Sequence, residues 1–189
     1  MARALVVRTV LMMAVLGVAA AASSSPGTRA SVREILGVRH PVTMTAEDWR
    51  KLGSDVDVYL IEAAADSALR YGVRQRAMSG LAAVGGPRAK EFLRDTIQGS
   101  RVAPELLSTA VQAYAKGFAK SDPDDVRLLS VPLLDHVDWV VRQGAVRGLG
   151  EMGTKEASDA LRLRQTRETH PAVQSALRKA LGQPESGKR

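Results

Sequence analysis

The chain has 189 residues, of which 45% are hydrophobic and only 4% aromatic, and its formal net charge is +7 at pH 7. Because it contains no cysteine, the composition excludes disulfide bonds, thiolate metal sites and a lipid-modified N-terminal cysteine. A chain of this length can bury a core, and its positive charge fits an acidic partner as well as simple solubility.

The N-terminal segment has the pattern of a secretory signal peptide. Arg3 and Arg8 precede an apolar run over residues 10–18, and Ala20 and Ala22 precede Ser23. A bilayer span needs about 20 apolar residues, so this run is too short to remain as a transmembrane segment. We therefore predict a signal peptide over residues 1–22 and an exported protein, either periplasmic or secreted.

Residues 23–43 are rich in Ser, Gly and Pro and are predicted to form a flexible linker. Thr45, with Glu47 close behind, then predicts a capped helix start. A second helix is expected from Asp55 or Asp57. Its predicted buried stripe is Val58, Ile61 and Ala64.

The most informative pattern is a segment that occurs twice, 68 residues apart. Ten of 22 aligned positions are identical between residues 73–94 and 141–162, which indicates a duplicated structural unit. Since 68 is twice 34, a divergent copy is expected between them, over residues 103–134. Each copy is predicted to be a pair of antiparallel helices.

The apolar spacing within each copy supports this prediction. Intervals of three and four residues are typical of one helix face, and Gly85 to Pro87 would end the first helix of the first copy. A final helix is expected from His170 or Pro171, and residues 183–189 are expected to form a disordered tail. The apolar stripes of the first helices are Val73, Ala77 and Leu81; Leu106, Ala110 and Tyr114; and Trp139, Val141, Ala145 and Leu149.

The repeated pattern resembles the HEAT-like repeat family, in the short form found in bacterial proteins. In chain order the pattern is Val-Arg-Gln, Ala, Gly-Leu, Gly, Ala and Leu. The resemblance implies an all-α, right-handed α-solenoid of about 3 to 4 stacked helix pairs over residues 44–182. It also implies that the first helices line the convex side and the second helices a concave, partner-binding side. Asp138 with Arg142 fits the acid that the family places before its first helix.

Ten repeated residues are predicted to be structural. Arg74 and Arg142 each follow a core valine and are expected to donate hydrogen bonds within or between repeats. Gly80 and Gly148 lie inside helices, where their repetition predicts a close approach of two helices. The remaining members of this set are Val73, Ala77, Leu81, Val141, Ala145 and Leu149.

A row of basic residues on the second helices is the candidate partner-binding site. Arg94 and Arg162 fall outside the apolar stripes, so they could project along the inner surface of a solenoid and bind acidic groups. Interspersed acids leave a solvated mixed face as the alternative. The full candidate set is Arg88, Lys90, Arg94, Lys155, Arg162 and Arg164.

The sequence shows no catalytic constellation, no metal-ligand spacing and no phosphate-binding glycine loop, so we expect a non-catalytic protein without metal or cofactor. The leading hypothesis is an exported scaffold that binds a protein partner, possibly acidic. One alternative is a nucleic-acid-binding or DNA-repair protein, which the export signal and the few aromatic residues disfavour. A second alternative is an enzyme, by likeness to chromophore lyases that carry short HEAT-like repeats.

Overall fold

A computed structural model describes residues 26–38, 44–99, 101–119 and 122–184. These residues form ten α-helices and one short 3-10 turn, without any β-strand among them. The all-α prediction is confirmed. The helices are α1 (Pro26–Gly37), α2 (Ala46–Lys51), α3 (Val56–Ala65), α4 (Tyr71–Val84), α5 (Pro87–Gln98), α6 (Pro104–Gly117), α7 (Pro123–Ser130), α8 (Trp139–Met152), α9 (Lys155–Gln165) and α10 (Pro171–Ala180), with the 3-10 turn at Leu133–Asp135.

The helices stack in two rows, as the solenoid prediction requires. The first row runs α2, α4, α6, α8, α10, each helix packing on the next, and α6 with α8 is its most extensive contact. The second row contains α3, α5, α7 and α9, and each of these also packs against a first-row helix. The described residues therefore form four helix pairs, from α2 with α3 to α8 with α9, with α1 before them and α10 after them.

Local sequence sets the helix boundaries. The Thr45 side chain accepts a hydrogen bond from the Asp48 amide at 3.2 Å while Asp48 accepts from the Thr45 amide, a capping box that starts α2. Gly85 and Gly86 have φ of +75° and +92°, so the chain can reverse within two residues between α4 and α5.

The core is built from the predicted stripes. Ala77, Ala110 and Ala145, which occupy the same position of three successive first-row helices, are all fully buried. Small side chains at this position let neighbouring helices approach closely. Tyr114 is also fully buried and donates a 2.6 Å hydrogen bond from its hydroxyl to Asp125 of α7. Burial and this bond to a carboxylate raise the pKa of Tyr114.

Part of the expected linker is helical. Residues 26–37 form α1, which packs against α3 and α4, and its Val32 and Leu36 are 2% exposed. These two apolar residues are four apart and therefore lie on one face of α1. That face packs against the open end of the stack. A flexible linker is therefore the wrong description of these residues, and α1 covers the first repeat.

The predicted stripe of α3 is also corrected. Ala64 is buried as predicted and Tyr59 and Leu60 are buried too, whereas Val58 and Ile61 are only partly buried. Nearly the whole helix is apolar, so spacing alone did not identify the face that packs.

Three predictions concern residues outside the described ranges. The signal peptide at 1–22 lies there, as do residues 23–25 and 39–43 of the expected linker and residues 185–189 of the expected tail. Export therefore stays a prediction. Within the described ranges, no helix is both long enough and apolar enough to cross a bilayer.

Candidate functional site

A groove crosses the outward face of the first row of helices, from α4 to α10, and we name it the first-row groove. One cavity of about 330 Å³ lies between α4 and α6, and another of about 620 Å³ lies between α6, α8 and α10. Gln112 and Lys116 of α6 line both cavities, which makes the groove continuous. Volumes of this size are typical of small-molecule sites.

The floor of the groove is made of small residues. Ala82, Ala113 and Ala176 line it, together with Gly150, whose added Cβ would lie 2.9 Å from the Ala180 Cβ. Because these positions carry little or no side chain, the helices approach closely at the floor and leave space above it. The groove is thus a consequence of the alanine-rich composition of these helices.

Repeated glutamines bridge successive helices along the groove. The Gln75 amide of α4 donates to the Thr109 hydroxyl of α6 at 3.0 Å, and the Gln143 amide of α8 donates to the Ala172 carbonyl of α10 at 3.2 Å. These are the glutamines of the duplicated Val-Arg-Gln segment. They hold the walls in register and place amide groups at the surface of the groove.

Three cations lie along the groove, one on each of three successive helices. Lys116, Arg147 and Lys179 are exposed, and none of them forms an ion pair with a residue in the described ranges. Glu151 is the one acid that lines the larger cavity. The groove therefore carries excess positive charge that its own walls leave uncompensated, as a site for an anionic ligand requires.

The six predicted partner-binding residues lie on two separate helices of the second row. Three are on α5 and three on α9, with α7 between these helices in the second row. Arg88 pairs with Asp57 at 2.9 Å, and Lys155 and Arg162 both pair with Asp159, at 2.7 and 2.9 Å.

The other three predicted residues have different surroundings. Lys90 lies over the Tyr114 ring, 5.8 Å from its centroid. Arg94 is exposed and lines a groove of about 490 Å³ between α5 and α7. Arg164 is only 12% exposed at its side chain and belongs to a charge cluster described next, so it is not available to a partner.

Glu168, which the sequence analysis missed, is the centre of that cluster. Its buried carboxylate accepts from Arg142 Nε at 2.9 Å, from Arg164, and from the amide of His170 at 2.8 Å. Burial by itself would raise the pKa of Glu168, but the donors from Arg142, His170 and Arg164 lower it to about 2. Arg164 continues the cluster to Asp135 at 2.8 Å.

This cluster corrects the expected pairing of Asp138 with Arg142. The Asp138 carboxylate instead accepts from the Val140 amide at 2.8 Å and caps α8, which satisfies a backbone donor. Arg142 also donates to the His136 and Val137 carbonyls. Arg74, its equivalent in the first copy, donates to the Ala64 carbonyl at 2.9 Å.

Trp139 also differs from its prediction. It is 39% exposed rather than part of the core, and its ring stacks on His170 with centroids 4.4 Å apart. As the first residue of α8 it lies only two residues before Val141, so it projects from a different side of the helix than the buried stripe. The predicted structural residues Val141, Ala145, Gly148 and Leu149 of this helix are buried.

The helix contacts at glycines are only partly those predicted. An added Cβ at Gly80 would lie 3.1 Å from a Leu60 methyl, and one at Gly148 would lie 3.3 Å from the Ala115 Cβ. Tighter contacts occur at Gly117, 2.8 Å from the backbone of Ala82, and at Gly144. The described residues hold no cluster of His, Asp or Glu suited to a metal ion.

Comparison with known proteins agrees with the repeat pattern. Residues 141–183 match the family model described as the PBS lyase HEAT-like repeat. The chain is 29% identical, over 153 residues, to the "Bilin biosynthesis protein PecF" of Nostoc sp. (strain PCC 7120 / SAG 25.82 / UTEX 2576). The match covers 75% of this chain and 87% of that protein. The predicted resemblance to HEAT-like repeats is confirmed.

These findings overturn one expectation. The absence of a familiar catalytic motif led us to expect a non-catalytic protein, whereas the matching family model is named for a lyase and the relative is named for bilin biosynthesis. The physical reason for the error is that motif arguments detect compact constellations such as a nucleophile with its base. A groove assembled from single residues on successive repeats leaves no such local motif.

Proposed function

Because the chain is an α-solenoid with HEAT-like repeats, similar to a bilin biosynthesis protein, we propose that it is a lyase-type protein that binds a linear tetrapyrrole in the first-row groove. This proposal replaces the expectation of a protein without a small-molecule ligand. The observation that carries it is the alignment, along one elongated groove, of three cations that form no ion pair with any described residue.

The chemistry of a linear tetrapyrrole matches this groove. Its conjugated body is apolar and extended, and its propionate groups are anionic. Packed helices lie about 8–10 Å apart, so α6 to α10 span roughly 20 Å, which suits an extended ligand. Lys116, Arg147 and Lys179 supply partners for the carboxylates, while the alanine floor contacts the body.

The amide groups that line the groove add polar recognition. Gln112 and Gln143 lie beside the cations and can hydrogen-bond the lactam and pyrrole groups of the ligand. Because the chain has no cysteine, a tetrapyrrole cannot be attached to it as a thioether. A ligand that forms no thioether with the chain can be released, as the product of a lyase-type reaction must be.

Titration with biliverdin, followed by its absorbance change, tests this proposal. We expect saturable binding that weakens at least 10-fold in Lys116→Glu and in Lys179→Glu, because each variant places an anion beside a carboxylate. Lys155→Glu is the matched control, since Lys155 is an exposed lysine of α9 outside the groove. Its affinity should stay within about twofold of the natural chain.

A separate assay addresses the lyase-type step. The absorbance of the bound tetrapyrrole is followed with time in the presence of a small thiol, with the groove variants alongside. Time-dependent change that requires Lys116 and Lys179 supports the proposed activity. Undiminished biliverdin affinity in both variants, or absence of saturable binding, would rule out this groove as the site.

We also propose that the second row of helices contacts a protein partner. The groove between α5 and α7 is lined by Arg94 and Arg127 above the apolar Ile97 and Leu128. Charge reversal at Arg94 and Arg162 should abolish capture of a partner without loss of helicity. Capture that persists would remove this face from consideration.

A further inference from the structure

A separate cavity of about 360 Å³ lies at the opposite end of the stack from α10, between α1, α3 and the start of α4. More of its wall is apolar than polar, and its size falls in the range of small-molecule sites. It shares no lining residue with the first-row groove. The apolar walls are Val32, Leu36, Tyr59, Ala63, Leu69 and Val73.

The walls are fixed by contacts outside the cavity. Arg76 donates from Nε to the Leu36 carbonyl at 2.9 Å and so ties the end of α1 to α4. The Thr28 hydroxyl donates to the Leu52 carbonyl at 2.8 Å and ties the start of α1 to the loop before α3. Both ends of α1 are thus tied to the stack, and these ties set the position of the α1 wall of the cavity.

Two arginines lie at the rim, and they differ in their partners among the described residues. Arg29 is already paired with Glu62 at 2.8 Å and lies over the Tyr59 ring at 4.9 Å. Asp66 accepts from the Ala68 amide at 2.8 Å. Arg33, one turn after Arg29, is exposed and forms no ion pair with any residue that the structure describes.

We propose that this cavity binds a medium-chain carboxylate, with the alkyl chain against the walls of α1, α3 and α4 and the carboxylate on Arg33. A guanidinium at the rim matches a carboxylate in a bidentate arrangement, and the apolar wall matches a flexible alkyl chain. Gly37 follows Arg33 by four residues and lies on the same face of α1. An added Cβ at Gly37 would have open space around it, so this glycine leaves the entrance of the cavity beside Arg33 clear.

Calorimetric titration of the full chain with decanoate, below its micelle concentration, tests the proposal. We expect one saturable site, weakened at least 10-fold in Ala63→Phe, because the ring fills the cavity, and at least fivefold in Arg33→Ala. Ala65→Phe and Arg50→Ala are the matched controls, since both residues are exposed and neither lines the cavity. Circular dichroism checks that all four variants keep the natural helix content.

The chemical class is tested by decyltrimethylammonium, which has the same chain length and the opposite charge. It should bind at least 10-fold more weakly than decanoate. Equal binding of the two amphiphiles, undiminished decanoate affinity in Ala63→Phe or in Arg33→Ala, or no saturable decanoate binding would each overturn the proposal. The Lys116→Glu variant leaves this cavity intact, so the variant should bind decanoate as tightly as the natural chain does. This result is expected whether or not the first-row groove binds a tetrapyrrole.

Discussion

Arg74 and Arg142 occupy the same position of the duplicated segment and have different partners. Arg74 donates to one backbone carbonyl, whereas Arg142 donates to two carbonyls and to the buried Glu168. In both copies the arginine thus donates to backbone carbonyls of the segment that precedes its helix. What each donor contributes depends on the residue that it meets.

We therefore expect unequal effects of removing the two arginines. Arg142→Ala leaves a buried carboxylate with fewer donors and should lower the free energy of unfolding by about 3 kcal/mol. Arg74→Ala removes a single hydrogen bond and should lower it by about 1 kcal/mol. Urea denaturation measures both values. Equal losses would mean that Glu168 is satisfied without Arg142.

The pH dependence of stability follows from Glu168. Its pKa in the folded chain is about 2, below the ordinary value of 4.5. A carboxyl whose pKa is depressed on folding stabilises the fold above its unfolded pKa, and this stabilisation is lost progressively as the pH falls from about 4.5 to about 2. The natural chain should therefore lose stability in this range.

Glu168→Gln is the variant that isolates this effect. At pH 7 it should be less stable than the natural chain, and the difference should shrink as the pH approaches 3. Glu156→Gln, an exposed acid on α9, serves as control and should change stability by less than about 0.5 kcal/mol. A difference between Glu168→Gln and the natural chain that stays constant with pH would contradict the assignment.

At the scale of the elements, close contact between α6 and α8 holds the centre of the stack. An added Cβ at Gly144 would lie 2.9 Å from the Ser108 Cα and closer still to its hydroxyl oxygen. Gly72, near the start of α4, meets only the end of the Arg76 side chain, at 3.9 Å. A methyl group at Gly144 would therefore collide with α6, whereas a methyl group at Gly72 would fit.

Alanine substitution at these two glycines should have opposite effects. Gly144→Ala gains helix propensity but forces the two helices apart, and we expect a net loss of about 1–3 kcal/mol. Gly72→Ala meets no obstacle and should stabilise the chain by up to about 1 kcal/mol. Thermal unfolding of both variants checks the signs. A stabilised Gly144→Ala would show that the helices can separate at little cost.

The repeat made most of these elements predictable from sequence. Val73 and Leu81 recur at the same spacing in the second copy, so both helix and face could be assigned. The groove could not be foreseen because Lys116 belongs to the divergent copy and Lys179 to the terminal helix. Glu168 lies between α9 and α10, outside the duplicated segment. The recurrence of Gln75 and Gln143 was the one available indication of the groove.

At the scale of the molecule, each helix pair contacts only its neighbours along the stack. In such a fold, stability is a sum of local terms and interface terms, so internal repeats gain support from both sides. α6 packs on both α4 and α8, whereas among the described helices α1 and α10 each have neighbours on one side only. Stability should therefore be highest at the centre of the stack and lowest at its ends.

Amide hydrogen exchange measures this gradient directly. We expect the protected amides of α6 and α8 to exchange at least about 10-fold more slowly than those of α1 and α10, a factor that corresponds to about 1.4 kcal/mol of local opening free energy. A tetrapyrrole in the first-row groove would bridge α6, α8 and α10, so its binding should slow exchange in α10 and leave α1 unchanged. Decanoate should do the reverse, because its proposed cavity is walled by α1. Uniform slowing of all helices by either ligand would mean that the stack opens as one unit and that the two sites are coupled.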